Sequence, residues 1–203
     1  MIILIDNYDS FVHNLARYIR LQGKETRVIR NDSNDLEGSI GESTEAIILS
    51  PGPRTPKHSG TSLNVVKRYG STIPMLGVCL GHQILGESYG GTTEKSSKPV
   101  HGETSSIHHD QKGIFADIPN PFKAARYHSL ITSLPEELDV EITAQTDDGI
   151  MMAFQHKQHP SYGIQFHPES CLTEHGPQLI QNFLELAELW NENSRKTSLE
   201  RAA

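Results

Sequence analysis

The chain has 203 residues, a length that suits one domain with a substantial buried core. Its 21% charged and 35% hydrophobic residues are typical of a globular protein and exclude a disordered or fibrous chain. Because 25 acidic residues outnumber 18 basic ones and no cluster of Lys or Arg occurs, we expect neither nucleic acid nor a membrane surface as a partner.

The sequence also bears on the compartment. No apolar run is long enough to span a bilayer, and the first residues lack the basic and long apolar regions of a signal peptide. We therefore expect a cytoplasmic protein. In that compartment the two cysteines, Cys79 and Cys171, are expected to be reduced thiols rather than a disulfide.

The first half of the chain alternates between strand-like and helix-like segments. Short apolar runs predict buried strands, at residues 2–5, 26–30, 46–49 and 75–78. Apolar residues at helical spacing predict helices between them, at residues 11–21, 61–69 and from residue 80 onward. This alternation predicts an α/β fold with a doubly wound, mostly parallel sheet, whose site lies at the carboxyl ends of the strands.

The second half of the chain is richer in strands. Short β-prone runs separated by turns predict antiparallel or mixed strands that extend the sheet or form a small second one, at residues 122–127, 140–145, 150–155 and 162–166. An apolar stripe over residues 174–190 predicts a last helix packed on the core. We expect residues 1–190 to form one domain and residues 191–203 to be a polar, frayed tail.

A cysteine stands between an apolar run and a helix-like segment. Gly77 and Gly81 flank Cys79, a pattern typical of a nucleophile elbow, the sharp strand-to-helix turn that presents a reactive side chain. At a helix start the partial positive charge favours the thiolate, and the N–H of Leu80 is free to bind an oxyanion. The alternative is a structural cysteine buried in a parallel strand. The flanking glycines favour the nucleophile.

A cysteine nucleophile needs a base, and His167 is the best placed of the eleven histidines. It follows a strand-like run and precedes Pro168, which keeps the local backbone extended. Alternate residues of an extended segment point to the same side, so the carboxylate of Glu169 can orient the imidazole of His167. Taken alone, the same residues describe a surface turn with an incidental acid.

Two further stretches complete a site for acyl transfer. In Ser-Pro-Gly-Pro at residues 50–53, Gly52 is the central backbone donor, and with the Leu80 N–H it can form a two-donor oxyanion hole. Tyr-His-Ser-Leu at residues 127–130 follows a predicted strand and offers polar groups to the amino-acid end of a substrate. Without the elbow, these stretches are an ordinary proline-rich turn and a strand terminus.

The remaining candidates are weaker. His82 follows Cys79 too closely to reach the substrate side of the sulfur, so we expect it to be a packing or hydrogen-bonding residue. Cys171 lacks both flanking glycines and a following helix. Other histidines lack cysteines or carboxylates at zinc spacing, so we expect no metal site.

Five motifs, in this order along the chain, resemble those of class I (triad-type) glutamine amidotransferases. The motifs are DNYDSF at residues 6–11, SPGP at 50–53, GVCLGHQ at 77–83, RYHSL at 126–130 and QFHPES at 165–170. Each motif alone is unspecific, whereas their joint occurrence is very specific. The first and fourth are most similar to those of the amidotransferase subunits of anthranilate synthase and aminodeoxychorismate synthase. The resemblance covers roughly residues 1–190.

The resemblance implies that the protein hydrolyses L-glutamine. Cys79 would attack the side-chain amide to form a thioester, His167 would protonate the departing ammonia and then activate water, and Glu169 would hold His167. Gly52 and Leu80 would supply the oxyanion donors. The residues that would bind glutamine are Gly52, Pro53, Arg54, Gln83, Ser129 and Leu130.

The resemblance also implies a partner. Ammonia would pass to a separate chorismate-binding synthase subunit that makes anthranilate, 4-amino-4-deoxychorismate or both. The partner would be expected to use Mg²⁺, whereas this chain would need no cofactor. Two positions depart from the family pattern: Arg54, where a small residue is common, and Glu103, where a lysine is usual. The alternatives are a cysteine hydrolase of another amide and a non-catalytic scaffold that regulates a synthase.

Overall fold

The computed structural model describes the backbone of residues 1–202 and the side chains of residues 1–197 and 200. Its strands are β1 (Ile2–Asp6), β2 (Thr26–Arg30), β3 (Ala46–Leu49), β4 (Met75–Val78), β5 (Thr92–Lys95), β6 (Glu103–His109), β7 (Phe122–Arg126), β8 (Leu130–Ser133), β9 (Val140–Thr146), β10 (Met151–His156) and β11 (Ser161–Ile164). Its α-helices are α1 (Val12–Leu21), α2 (Leu36–Ser39), α3 (Ser62–Tyr69), α4 (Leu80–Ser88) and α5 (Gly176–Ala202).

Nine of the described strands form one sheet, in the order β2-β1-β3-β4-β11-β10-β9-β6-β7. The strands from β2 to β11 in this order run parallel, and the remaining four continue the sheet in antiparallel fashion. β5 and β8 pair in a separate two-stranded sheet. The prediction of a doubly wound, mostly parallel sheet is confirmed, and the second half both extends this sheet and adds a small one.

The central strands are buried on both faces because helices cover each side of the sheet. In β1, Ile2 and Leu4 pack in the cluster that contains residues of α1 and α5, whereas Ile3 and Ile5 pack in the cluster that contains residues of α3 and α4. All four side chains are 1% exposed or less. Burial of one such side chain stabilises the fold by about 1.5–3 kcal/mol, so this alternation fixes the register of the strand.

Two expectations about the second half were wrong. The sequence pattern missed β5, β6 and β8, because their outward-facing residues are polar and their apolar alternation is weak. The last helix does not end at residue 190, since α5 continues to Ala202. After Pro177 the chain contains neither Gly nor Pro, so nothing breaks the helix. The side chain of Asn191 also donates a hydrogen bond to the Glu45 carbonyl, 2.8 Å away. Residue 203 lies outside the described residues.

The strand order creates a crevice at one edge of the sheet. In the sheet, β2 lies on one side of the β1–β3 pair and β4 lies on the other side. The connections that follow β1 and β3 therefore run in opposite directions, and their loops separate. The loops after β4 and β11 open at the same edge because these strands run parallel to β3. Within residues 1–202, no helix has both the length and the apolar character needed to cross a membrane.

Candidate active site

Cys79 occupies the turn between β4 and α4. Its backbone has φ 52° and ψ −100°, a conformation that L-residues rarely adopt and that costs about 1–3 kcal/mol. Hydrogen bonds on both sides hold this strained residue: its N–H donates to the Ile164 carbonyl at 2.8 Å, and its carbonyl accepts from the Gln83 N–H at 3.1 Å. The predicted nucleophile elbow is therefore present, with its strain on the cysteine itself.

The two flanking glycines are needed for space. A Cβ on Gly77 would lie 2.3 Å from the Gly81 carbonyl oxygen, and a Cβ on Gly81 would lie 2.3 Å from the Leu49 carbonyl oxygen. Neither glycine has a positive φ. Their role here is therefore steric rather than conformational. The glycines allow α4 to pack directly against the backbone of β3 and β4.

His167 follows β11 and is held on several sides. Its Nδ1 lies 2.6 Å from Oε1 of Glu169, as predicted. The extended backbone expected there is wrong, because residues 168–169 form a turn in which the Ser170 N–H donates to the His167 carbonyl at 3.3 Å. Its N–H donates to the Ala125 carbonyl at 3.1 Å, and the Thr173 hydroxyl donates to its carbonyl at 2.6 Å. The ring of Tyr127 contacts the imidazole edge-on, with 5.1 Å between centroids. The imidazole therefore has one defined position.

The charges at this site favour a protonated imidazole. Burial alone lowers the pKa of His167, but the negatively charged forms of Cys79 and Glu169 outweigh it and raise the pKa to about 11. His167 and Glu169 are 8% and 5% exposed, so water screens these interactions poorly. At neutral pH the site holds an imidazolium beside the sulfur, the arrangement that an activated cysteine nucleophile requires.

A pocket of about 700 Å³ opens onto this site. The loops after β1, β3, β4 and β11 all contribute to its walls, through residues that include Phe11, Gly52, Cys79, His167 and Glu169. Its volume falls within the range of small-molecule sites. The prediction that the site lies at the carboxyl ends of the parallel strands agrees with this placement.

The two residues predicted to supply the oxyanion donors, Gly52 and Leu80, lie in contact through the Leu80 side chain. A Cβ on Gly52 would be 3.0 Å from Cδ2 of Leu80, which places the two residues in contact. The N–H groups of both residues make no hydrogen bond to any other described residue. Gly52 and Pro53 line the pocket with Cys79. Arg54 is exposed, with φ 71°, and does not line it.

The other residues predicted to bind glutamine lie beside the pocket rather than in its wall. Gln83 is 3% exposed, and its Nε2 donates to the Leu130 carbonyl at 3.4 Å and to Oε1 of Gln165 at 3.1 Å. Ser129 is exposed, and its carbonyl accepts a hydrogen bond from the Ser96 N–H at 2.9 Å. Their binding of substrate stays a prediction.

Asn7, which sequence reasoning passed over, fixes the loop that carries Gly52. Its N–H donates to Oγ of Ser50 at 2.9 Å and its Nδ2 to the Ser50 carbonyl at 2.8 Å. Its Oδ1 accepts from the Ser62 hydroxyl at 2.8 Å and from Nδ2 of Asn31 at 3.1 Å. The sequence did contain a signal for Asn7. It is a polar residue directly after a buried strand, and such residues often form the loops of a functional site.

Asp9 and Gln165 were also missed. Burial, together with the charge of Glu169, raises the pKa of Asp9 to about 6. Oδ2 of Asp9 and Oε2 of Glu169 are buried and have no hydrogen-bond partner among the described residues. Gln165 lies two residues before His167, and its Nε2 is 3.6 Å from Sγ of Cys79. The alternation that pointed to Glu169 places Gln165 on the same side, so this signal was present in the sequence.

Two histidines near the site are neutral structural residues. His82 is fully buried, its ring centroid lies 4.9 Å from that of Phe154, and burial lowers its pKa to about 3. This agrees with the packing role expected of it. Burial also lowers the pKa of His128 to about 4, with a further contribution from Arg126. Nε2 of His128 accepts from Arg126 at 3.0 Å while Nδ1 lies 2.9 Å from the Leu130 carbonyl, so Nδ1 carries the single proton.

The fold and the site define a class of protein: a doubly wound α/β enzyme with a cysteine, a histidine and a carboxylate at the carboxyl ends of its strands. A model of the family Glutamine amidotransferase class-I matches residues 3–187. The chain belongs to this family of class I glutamine amidotransferases.

Individual relatives show the extent of the similarity. Anthranilate synthase component 2 of Cyanophora paradoxa is 50% identical over 188 residues, which are 91% of this chain and 98% of that protein. Aminodeoxychorismate/anthranilate synthase component 2 of Bacillus subtilis is 44% identical over 187 residues, 91% of this chain and 96% of that protein. The bifunctional protein TrpGD of Thermotoga maritima is 47% identical over 193 residues, 93% of this chain, which spans only 32% of that longer protein.

A solved structure agrees with the fold. The crystal structure of a Thermoplasma acidophilum protein, described as a GMP synthase subunit, superimposes with a TM-score of 0.84 at 25% identity and covers 96% of each chain. Family membership and the agreement in fold together identify the site as that of a glutamine amidotransferase.

Proposed function

We propose that this protein hydrolyses L-glutamine through a thioester on Cys79 and delivers the ammonia to a chorismate-binding synthase subunit. The observation that carries the proposal is that Cys79 and His167 line one pocket, where Glu169 holds Nδ1 of His167 and Nε2 of His167 is buried without a hydrogen-bond partner among the described residues. A binding protein has no need of this arrangement. Membership of the amidotransferase family identifies the amide that such a site attacks.

The first half of the reaction uses the imidazolium as an acid. The Cys79 sulfur attacks the side-chain carbonyl carbon of glutamine and forms a tetrahedral oxyanion. The C–N bond then breaks, the nitrogen takes the proton from His167, and ammonia leaves a thioester behind. Because the raised pKa of His167 keeps its ring protonated at neutral pH, the acid is present before the substrate arrives.

The second half uses the same ring as a base. His167, now neutral, removes a proton from water, and the resulting hydroxide attacks the thioester carbon. Glutamate leaves, and the sulfur and imidazole return to their charged forms. Glu169 favours the imidazolium in both steps, because its carboxylate is buried 2.6 Å from Nδ1.

Gly52 and Leu80 are the proposed oxyanion donors in both steps. Their unpaired N–H groups and their mutual contact support this role. The position of Leu80 at the first turn of α4 adds the favourable helix dipole. Loss of one such donor slows comparable enzymes by about 10²–10³-fold.

The proposed partner binds over the mouth of the pocket. Exposed apolar side chains line this opening: Tyr8 is 48% exposed, Phe11 63% and Tyr127 37%. Exposed apolar residues gathered at one place mark protein contacts more often than chance. Two of the relatives are named component 2 of a synthase, which supports a chorismate-using subunit that makes anthranilate, 4-amino-4-deoxychorismate or both.

The proposal includes a cytoplasmic location and no cofactor for this chain. The reaction above uses side chains, water and glutamine alone, so the expected Mg²⁺ belongs to the synthase. Cys79 and Cys171 are free thiols, as a reducing compartment would keep them.

Release of glutamate from glutamine, measured with and without a chorismate-using synthase subunit, tests the proposal. We expect weak activity alone, higher activity with the partner, and loss of both in Cys79→Ala. The Cys171→Ser variant is the matched control and should retain activity. Full glutamate release by Cys79→Ala would contradict the proposal, and binding to a synthase with no glutamine hydrolysis would indicate the scaffold alternative.

A further inference from the structure

Gln165 lies two residues before the catalytic histidine, in the segment that follows β11. Gln165 is fully buried, and its N–H donates to the Met152 carbonyl at 2.8 Å, so its backbone is anchored to β10. A fully buried amide of this kind must satisfy its hydrogen bonds inside the protein.

The side-chain amide of Gln165 connects the nucleophile to Gln83. Its Nε2 lies 3.6 Å from Sγ of Cys79, and its Oε1 accepts a hydrogen bond from Nε2 of Gln83 at 3.1 Å. Nε2 of Gln83 also donates to the Leu130 carbonyl at 3.4 Å. Among the described residues, the sulfur is the only hydrogen-bond acceptor for Nε2 of Gln165.

The Leu130 carbonyl determines the direction of the whole chain of hydrogen bonds. A carbonyl can only accept, so Gln83 must present its NH₂ group to it. The same NH₂ group donates to Gln165, which must therefore present its oxygen to Gln83 and its own NH₂ group to the sulfur. The reverse orientation would bring two NH₂ groups together and place an oxygen against a negatively charged sulfur.

We propose that Gln165 is a positioning residue that donates a hydrogen bond to the Cys79 thiolate, which stabilises this charge and holds the sulfur for attack. A hydrogen bond to a charged acceptor is stronger than one to a neutral acceptor. It therefore favours the thiolate before attack and again when the thioester breaks and the sulfur leaves. The effect of this hydrogen bond on catalysis rests on the proposed function. The hydrogen bond to the thiolate itself does not depend on it.

Alkylation of Cys79 by iodoacetamide tests the bond without any turnover. The measurement uses the full chain with Cys171→Ser, so that one thiol reacts, and compares Gln165 with Gln165→Met, which has a similar length and no donor. Only the thiolate reacts. We expect the variant to reach half of its maximal alkylation rate at a pH about one unit higher than the parent does, which is a tenfold slower reaction on the rising part of the profile.

A second substitution separates positioning from folding. In Gln83→Met the sulfur keeps its donor, but Gln165 loses the contact that orients its amide, so we expect a smaller shift of the alkylation profile in the same direction. Thermal unfolding checks that each variant is folded. If Gln165→Met does not fold, the result for Gln83→Met decides the question. Identical pH profiles for the parent and every folded variant would overturn the proposal.

Glutamine hydrolysis supplies the second readout. We expect Gln165→Met to lower kcat by about 10–100-fold and to change KM less, because the sulfur rather than the substrate loses a contact. An unchanged kcat together with slower alkylation would overturn the catalytic part of the proposal. If the protein hydrolyses no glutamine at all, the proposed function fails, while the alkylation profile still decides whether Gln165 stabilises the thiolate.

Discussion

Nδ1 of His167 and Oε1 of Glu169 lie 2.6 Å apart, although only Pro168 separates the two residues in the chain. This contact is local, and it forms in a turn at residues 168–169, which the Ser170 N–H closes by donating to the His167 carbonyl at 3.3 Å. The third member, Cys79, comes from a different strand 88 positions earlier. The parallel pairing of β4 with β11, in which Val78 lies opposite Ile164, brings the two ends together.

Glu169→Gln tests the role of this contact in catalysis. The variant keeps the size of the side chain but removes the charge that favours the imidazolium, so we expect kcat for glutamine hydrolysis to fall by about 10²–10⁴-fold. Glu174→Gln, an exposed acid in the same loop, is the matched control and should change kcat little. Retention of more than half of kcat in Glu169→Gln would show that the carboxylate has no catalytic role.

Gly81→Ala tests the packing of the elbow. The added Cβ would meet the Leu49 carbonyl oxygen at 2.3 Å, a contact that neither backbone can avoid without moving. We expect the free energy of unfolding to fall by about 3 kcal/mol, measured by urea denaturation. Gly38→Ala in α2 meets no atom within 4 Å and should be neutral or slightly stabilising. Equal effects of the two substitutions would contradict this account of the glycines.

The fold and the nucleophile could be predicted from the sequence because their signals are local. The apolar runs of β1, β3 and β4, the glycines around Cys79 and the alternation of His167 with Glu169 each occupy fewer than ten residues. Their physical causes, burial on both faces of a sheet and the short range of a contact between residues two apart, act over a few residues.

The missed features depend on contacts between distant segments. The raised pKa of Asp9 arises from burial and from Glu169, which lies 160 positions away in the sequence. The role proposed for Gln165 depends on Gln83 and on the sulfur of Cys79, and no pattern within its own segment shows either contact. β6 was missed because its exposed residues are polar, and pairing with β7 and β9 decides its conformation.

His82 makes stability depend on pH in the acidic range. Its pKa is lowered to about 3 in the folded protein, so between that value and about 6.5 the unfolded chain binds one more proton. Stability from this residue is therefore complete above pH 6.5 and is lost as the pH falls. We expect His82→Gln to reduce the slope of the unfolding free energy between pH 5.5 and 4.5 by about 1.4 kcal/mol per pH unit.

The control for this measurement is His13→Gln, which removes an exposed histidine of α1. It corrects for the loss of a histidine side chain at the surface. If His82→Gln and the parent have the same slope, burial does not lower the pKa of His82 in the folded protein.

Asp9→Asn should stabilise the protein by an amount that grows from pH 3.8 to about 6 and is complete above pH 6. The raised pKa of Asp9 means that the folded protein binds more protons between pH 3.8 and about 6, so stability from this residue decreases as the pH rises through that window. The half-buried carboxylate is partly screened by water, so we expect a gain of about 1 kcal/mol at pH 7.5 and none at pH 3.5. Chemical denaturation at the two pH values measures this, and an equal gain at both would refute the electrostatic explanation.

The central claim is that Cys79 forms a covalent intermediate with glutamine, with His167 as its proton donor. Acid quenching of the protein during turnover, followed by mass spectrometry of its peptides, tests this directly. We predict a glutamyl group on Cys79, corresponding to glutamine minus ammonia, and we predict its absence in His167→Gln. A glutamyl group on Cys171, or turnover of glutamine with no adduct on Cys79 under any quench time, would contradict the account.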